Sequence, residues 1–499
     1  MSIHTAPTQI APKVRKSPIA ILGVPFDNVT MDETVEIIAE MIASREPHYL
    51  ATANVDFVVQ ASADVELRRI LFDAHLVLCD GMPLVWASRK LGNPLPGRVT
   101  GSDLVPRLLA EAEVRGWRVF FLGGTAESVQ KAAENTQLRH PALQLVGAYS
   151  PPFKPLLEMD HDDILRRVTQ ARPDLLFVAF GCPKQEKWIN MHYRSLGVPV
   201  SVGVGATIDF LAGTFRRAPR WMQRTGTEWL FRMLQEPRRL LRRYGHDSVV
   251  FSRAILNQVR ELRDRPGRPE DLPQSTPRLE PVRASDRGPR IVSAPVRLDA
   301  AGAAVILNDW IDALGAGSVV VDCARTTFVD STGVGLLVRL RKRARELSRE
   351  FRIAAAPPPM LRAMQLMKLD SFFEFAPDVP AAVRQIAGQP DGAPPARVTR
   401  ASNGSGEHLQ WQGDITAATV QAISEPAESR LSAIPPGTEV VIDLSGVPFA
   451  DSSGVGFMVR LKKRAWQRGV KVTYASPTAA VSNVLRLTRL EEYLLGQLS

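Results

Sequence analysis

Between residues 18 and 245 a series of short apolar runs each gives way to side chains able to do chemistry. HYLATAN ends at Thr52 and Asn54, HLVLCDG at Asp80 and Gly81, and RVFFLGG at Gly123 and Gly124, followed by Thr125. DLLFVAFG leads into Gly181, Pro183, Lys184, Gln185 and Glu186, and VPVSVGVG into Gly205, Thr207 and Asp209. A carboxylate set among hydroxyls and amides can take the proton of an alcohol. A Gly-Gly turn that opens a helix can offer amides to a diphosphate. Each feature also has a plainer reading on its own: FFLGGTAESV as a strand-to-helix turn, and Asp80 as a cap or turn residue. Asp160 and Asp162 form the Asp-x-Asp pair of a metal-dependent transferase, but they directly precede a helical pattern, where aspartates cap amides. No metal and no cofactor are expected.

Elements must hold those residues in one place. The runs are β-branched or aromatic and alternate with helical periodicity, which predicts an α/β domain with a largely parallel sheet. Such sheets bind ligands beyond the carboxyl ends of their strands, where these residues stand. At 499 residues the chain holds about three domains. Its three cysteines, Cys79, Cys182 and Cys323, form no Cys-x-x-Cys pair, so a disulfide framework or zinc site is not indicated and a cytoplasmic setting fits. The first seventeen residues lack a signal-peptide core and no run reaches the roughly 18 apolar residues of a span, so membrane contact is expected to be peripheral, on the inner face.

The formal charge of +10 is concentrated. Arg216, Arg217, Arg220, Arg224, Arg232, Arg238, Arg239, Arg242 and Arg243 face only Glu228 and Glu236. Trp229, Leu230, Met233, Leu234, Leu240 and Leu241 are interleaved, and Pro237 is expected to break the helix. The segment reads either as an amphipathic helix packed on its own domain or as a surface for anionic lipid, with arginines gripping a lipid diphosphate. No recognition motif accompanies the charge, so nucleic acid is not expected as a partner.

DSTGVGLLVRLRKRA at 330–344 returns as DSSGVGFMVRLKKRA at 451–465, each time with an aspartate (Asp322, Asp443) eight residues upstream. A Walker loop is excluded, because Gly335 is followed by Leu336 and Leu337 instead of lysine and a hydroxyl. Each copy predicts a strand and then an amphipathic helix, apolar at Val334, Leu337 and Val338 or at Val455, Met458 and Val459. Ser331 and Ser452 fall at the helix N-terminus, where a hydroxyl can cap amides. Two stretches rich in proline and charge read as linkers. The expected division is a disordered N-terminus at 1–17, a front domain at 18–262, a linker at 263–289, a first module at 290–387, a linker at 388–407 and a second module at 408–499.

ATANVDFVVQA, CDGMPLVWASRKLGNPLPGRVTGSDLVP, FFLGG, PDLLFVAFGCPKQEKWI and VGVGATIDFLAGTFRRAPRWMQRTGTEWLFRMLQEPRRLLRR together closely resemble the WecG/TagA/CpsF family of bacterial glycosyltransferases. VVVDCARTTFVDSTGVGLLV and VVIDLSGVPFADSSGVGFMV resemble STAS domains of the anti-sigma-factor-antagonist type. The resemblance implies an α/β architecture: a Rossmann-like parallel-sheet glycosyltransferase domain followed by two small α/β STAS domains. It also implies inverting, metal-independent transfer of an N-acetylmannosamine-type hexose from a UDP-sugar to a polyprenyl-diphosphate-linked saccharide in surface or exopolysaccharide biosynthesis. Asp80 would be the general base; Thr52, Asn54, Arg98, Gly123, Gly124, Lys184 and Gln185 would bind substrate. The arginines at 216, 217, 220, 238, 239, 242 and 243 would serve the acceptor and an anionic membrane surface. Ser331 and Ser452 would be phosphorylation sites for an anti-sigma or serine-kinase partner, and a homo-oligomer is a further expected association. The alternative reading is a non-catalytic partner-switching protein, an anti-anti-sigma factor that retains a transferase scaffold.

Overall fold

The computed structural model describes residues 16–215, 218–219, 222, 227–235, 237–263, 288–387, 397–401, 407–417 and 419–496. The chain opens with an antiparallel hairpin, β1 (Ile19–Ile21) and β2 (Val24–Phe26), then α1 (Met31–Ser44), β3 (His48–Ala53), α2 (Val55–Ala63), α3 (Val65–Asp73) and β4 (Leu76–Cys79). It continues through α4 (Met82–Lys90), α5 (Gly101–Arg115), β5 (Arg118–Gly123), α6 (Ala126–Arg139), β6 (Gln144–Tyr149), α7 (His161–Ala171) and β7 (Leu175–Ala179). The elements α8 (Lys184–Leu196), β8 (Val200–Gly203), α9 (Thr207–Ala212), α10 (Glu228–Gln235) and α11 (Pro237–Arg263) complete this part. The strands from β3 to β8 form one sheet in the order β4-β3-β8-β7-β5-β6, parallel throughout. Helices cover both faces, so the central strands are buried on both sides and read in sequence as continuous apolar runs. Pro237, expected to break the helix, is the first residue of α11, a position that its fixed φ and missing N–H suit.

The first module holds β9 (Arg290–Ser293), β10 (Arg297–Leu298), α12 (Ala300–Ala316), β11 (Val319–Asp322), β12 (Phe328–Val329), α13 (Ser331–Glu346), β13 (Phe351–Ala354), α14 (Pro358–Leu366), β14 (Glu374–Ala376) and α15 (Val379–Ala387). Its four-stranded sheet, β14-β13-β11-β9, is parallel. The second module holds β15 (Arg397–Ala401), β16 (Glu407–Gln412), α16 (Val420–Ser432), β17 (Glu439–Gly446), α17 (Ser452–Gln467), β18 (Lys471–Ala475), α18 (Ala479–Leu487) and α19 (Glu491–Leu495). Here β15 pairs antiparallel with β16, while β16, β17 and β18 run parallel.

One expectation about the repeat is corrected. The caps of α13 and α17 are Asp330 and Asp451, whose carboxylates accept from the amides of Thr332 and Gly333 and of Ser453 and Gly454. Ser331 and Ser452 are the first helical residues, and their hydroxyls point away from the cap to partners in the front domain.

Packing divides the molecule differently from the repeat. One apolar core runs from Ile19, Tyr49 and Phe72 in the front domain through Trp310, Leu336 and Met364 of the first module. The second module has its own core around Trp411, Phe457 and Tyr474, against which the partly buried Val65 and Leu157 of the front domain pack.

Candidate active site

Thr52, Asn54, Asp80, Gly123, Gly124, Lys184 and Gln185 all stand at or just beyond the carboxyl ends of the parallel strands. β3 and β4 are neighbours, and the Asp80 amide donates to the Ala53 carbonyl at 2.9 Å. That bond fixes half-buried Asp80 next to Asn54. Asn54 caps α2, its Oδ1 accepting from the Phe57 amide. Thr52 is buried, its hydroxyl donating to the Gly203 carbonyl at 3.0 Å across the β3–β8 pair. A Cβ on Gly101 would lie 3.3 Å from Thr207 Oγ1 and 3.5 Å from Thr52 Oγ1, so the two hydroxyls flank the start of α5. Gly101 was not legible as part of the site; TGSD reads only as a helix cap, which Thr100 indeed is.

The β5 turn is built as the glycines suggest, for a reason of space. Gly123 has φ +103°, and a Cβ there would meet the Ala179 carbonyl oxygen at 2.6 Å. The Gly124 amide is spent on that same carbonyl, at 2.9 Å, and so is not offered to a diphosphate. Thr125 caps α6 through the Ser128 amide.

Gln185, expected to contact the nucleotide-sugar, is turned inward. It is 2% exposed, its Oε1 accepts from the amides of Gly181 and Gly205, both at 3.1 Å, and its Nε2 donates to Glu186 Oε1 at 2.7 Å. This side chain staples the β7 and β8 loops together behind the site. Burial pushes the carboxyl of Glu186 up to about 7. Lys184 reaches outward, its Nζ donating to the Lys154 carbonyl and lying over the rings of Phe153 and Phe180. Burial pulls its pKa down.

Arg98 is held by Glu228 of α10, Nη1 to Oε2 at 2.9 Å, both side chains largely buried. The pair ties the loop before α5 to the basic segment. On α10, Trp229, Leu230 and Leu234 are exposed. Arg238, Arg239, Arg242 and Arg243 fall on α11, and nothing is described of their side chains; Arg216, Arg217 and Arg220 lie outside the described residues.

Asp160 acts as the cap of α7, its Oδ1 accepting from the Asp163 amide at 3.0 Å. A wide concavity of about 900 Å³, lined by Arg45, Arg118, Gln144, Arg172 and Asp174, opens at the amino ends of the strands, away from these residues. Arg45 and Asp174 pair with each other there.

A family model, the glycosyl transferase WecG/TagA/CpsF family, matches residues 19–265. Three curated relatives from Staphylococcus aureus, of strains MW2, NCTC 8325 / PS 47 and MRSA252, are 32%, 32% and 31% identical over 224 residues, spanning 44% of this chain and 86% of each relative. The chain belongs to the WecG/TagA/CpsF family. It is thus a glycosyltransferase, and the matched residues hold the six-stranded parallel sheet. Each relative is named an N-acetylglucosaminyldiphosphoundecaprenol N-acetyl-beta-D-mannosaminyltransferase. A second model, described as a Mlab, STAS domain, matches residues 284–375 and 398–496, the two repeats. This WecG/TagA/CpsF chain therefore carries two STAS modules. Among its described residues no helix is long and apolar enough to cross a membrane.

Ser331 and Ser452 are 0% and 1% exposed, each enclosed by the transferase domain. Gln258 of α11 donates to Ser331 Oγ at 2.9 Å, and Ser452 Oγ donates to Glu66 Oε2 at 2.8 Å. In this arrangement neither hydroxyl is open to a kinase.

Proposed function

We propose that the chain transfers N-acetylmannosamine, or a closely related hexose, from its UDP conjugate to N-acetylglucosamine on a polyprenyl diphosphate, at the inner face of the membrane, in surface polysaccharide assembly. The carrying observation is the placement of half-buried Asp80 beside Asn54 and Thr52 at adjoining strand ends, in a chain whose relatives are named for that transfer. Asp80 takes the proton of the acceptor hydroxyl as its oxygen attacks the anomeric carbon, and the nucleotide diphosphate leaves from the opposite face. A single displacement inverts the anomeric centre and needs one base and cationic support for the leaving group. Arg98, oriented by Glu228, supplies that support from the side of the basic segment. The metal-free mechanism is supported by Asp160, which is committed to a helix cap.

Exposed Trp229, Leu230 and Leu234 support seating of α10 on the lipid surface that holds the acceptor. The enclosure of Ser331 and Ser452 favours STAS modules that dock on their own transferase over a partner-switching protein. UDP release measured over a panel of UDP-sugars with a polyprenyl-diphosphate-N-acetylglucosamine analogue tests the reading. Turnover with UDP-N-acetylmannosamine that survives a chelator and gives the inverted anomer is expected; no release from any UDP-sugar would refute it.

A further inference from the structure

The second STAS module meets the transferase through a buried charged network. Glu66, on α3, is 2% exposed, and its carboxylate accepts from both the backbone amide and the hydroxyl of Ser452. The same carboxylate pairs with Lys187 Nζ at 2.8 Å, and Lys187 pairs with Asp64 at 2.8 Å. Asp64 in turn caps α3 through the Leu67 amide. Two carboxylates thus share one ammonium in a site almost closed to water. Arg68 also acts electrostatically on Asp64, and Glu66 is further met by the two donors of Ser452 at the N-terminus of α17, where the helix dipole is positive. Only the second module supplies these.

The other end of the network reaches the candidate site. Lys187 lies in the first turn of α8, two residues after Gln185, and its amide donates to the Pro183 carbonyl. Gln185 holds the β7 and β8 loops through Gly181 and Gly205. A displaced Lys187 therefore shifts the residue that sets both loops.

We infer that the second STAS module is a working part of the donor site: by completing the Ser452–Glu66–Lys187–Asp64 network it fixes the first turn of α8, which makes Lys187 a positioning residue for nucleotide-sugar binding. This rests on the glycosyltransferase reading above. The first module provides an internal control, because Ser331 is met by Gln258, whose other bonds go to Ala20 and Leu22 of the hairpin and not to α8.

The test uses the full chain and its variants Ser452→Ala, Arg69→Gln and Ser331→Ala. Arg69 joins the transferase to the same module from another side, pairing with Asp414 and lying over the Phe449 ring at 4.3 Å. Losing a hydrogen bond to a buried carboxylate should raise the donor KM about three- to tenfold in Ser452→Ala, with kcat within about twofold. Arg69→Gln shifts it the same way, and Ser331→Ala leaves it unchanged. Lys187→Arg, which keeps the charge, raises KM less than Lys187→Met does.

Hydrogen exchange of the amides at 181–188, followed without substrate, reads the same coupling. It should quicken in Ser452→Ala and Arg69→Gln but not in Ser331→Ala. Exchange and KM at wild-type values in both variants, or equal changes in Ser331→Ala, would overturn the inference. Because exchange needs no turnover, a chain inactive with every donor would count against the proposed function and leave the coupling to be decided by exchange.

Discussion

Gly335 and Gly456 hold the same position in the two STAS modules, but their surroundings differ. A Cβ at Gly335 would stand 2.1 Å from the Pro18 carbonyl oxygen, whereas at Gly456 the nearest atoms are Arg460 Nη1 at 3.4 Å and Leu157 Cδ2 at 3.5 Å. Helix α13 therefore lies directly against the backbone leading into β1, whereas α17 at this point meets the transferase only at ordinary contact distance, through the Leu157 side chain. The polar contacts follow suit. The first module is joined by apolar packing, by Lys342 Nζ donating to the Ala74 carbonyl and by Arg345 paired with Asp73, so that its core is continuous with that of the enzyme. The second keeps a separate core, with Val65 and Leu157 of the enzyme at its edge, and makes its polar contacts to the enzyme through Glu66 and Arg69. A repeated sequence can thus supply one module that is part of the enzyme's fold and another that is attached by a polar joint. Apolar area gives a joint strength without direction, while a buried charge network holds only when every partner is present.

The sharpest way to break this contrast is to remove a large side chain from each core. Phe72 packs on Phe372 and Phe373 of the first module, with ring centroids 4.8 and 5.8 Å away. Phe72→Ala should cost about 3–5 kcal/mol and lower the melting of transferase and first module together in calorimetry. Trp411 stacks on Phe457 inside the second module. Trp411→Ala should cost a similar amount but move only a separate transition of that module. A first module that melts on its own in Phe72→Ala would break the contrast.

The paired glycines give a finer test. Gly335→Ala should destabilise by about 1–3 kcal/mol through overpacking, while Gly456→Ala should stay within about 1 kcal/mol of wild type, helped by helix propensity. Denaturant titration of both variants measures the difference, and equal losses would mean the two helices are docked alike.

Acidity offers the smallest effect. Burial pushes both caps, Asp330 and Asp451, up to about 6, and at Asp451 the charge of Glu66 adds to it. A carboxyl whose folded pKa lies above its unfolded value contributes stability below about pH 4 and loses it as pH rises through about 6. Both modules should therefore lose stability between pH 4 and pH 7, and Glu66→Gln should flatten that loss in the second module only, by about 1 kcal/mol. Melting curves at the two pH values in the variant and the wild type check this; an unchanged slope for the second module would show that Glu66 does not act on Asp451.

The sheet was legible because its strands are buried on both faces, so that HYLATAN, HLVLCDG, RVFFLGG, DLLFVAFG and VPVSVGVG stand out as apolar runs ending in polar residues. Asp80, Asn54 and Thr52 could be put at strand ends from that pattern, whereas the adjacency of β3 and β4 comes from the strand order. What escaped depends on contacts across long sequence distances. Nothing near Gln185 tells that its amide turns inward to Gly205, and nothing near Ser452 points to Glu66, 386 residues away. DSSG shows that a helix begins; which side chain waits opposite its first residue is a property of docking. The β1–β2 hairpin was missed for a different reason, its three-residue strands being too short for a periodic signal.

The claim on which the rest stands is that Asp80 is the base of a glycosyl transfer at these strand ends. Asp80→Asn keeps the size and most of the hydrogen bonding of the side chain while removing its basicity. Turnover of UDP-N-acetylmannosamine with the lipid-diphosphate acceptor analogue should fall by on the order of 10²–10⁴, with the melting temperature and the donor Kd close to wild type. Turnover within a few-fold of wild type at the same donor affinity would contradict the account and move the base elsewhere in the site.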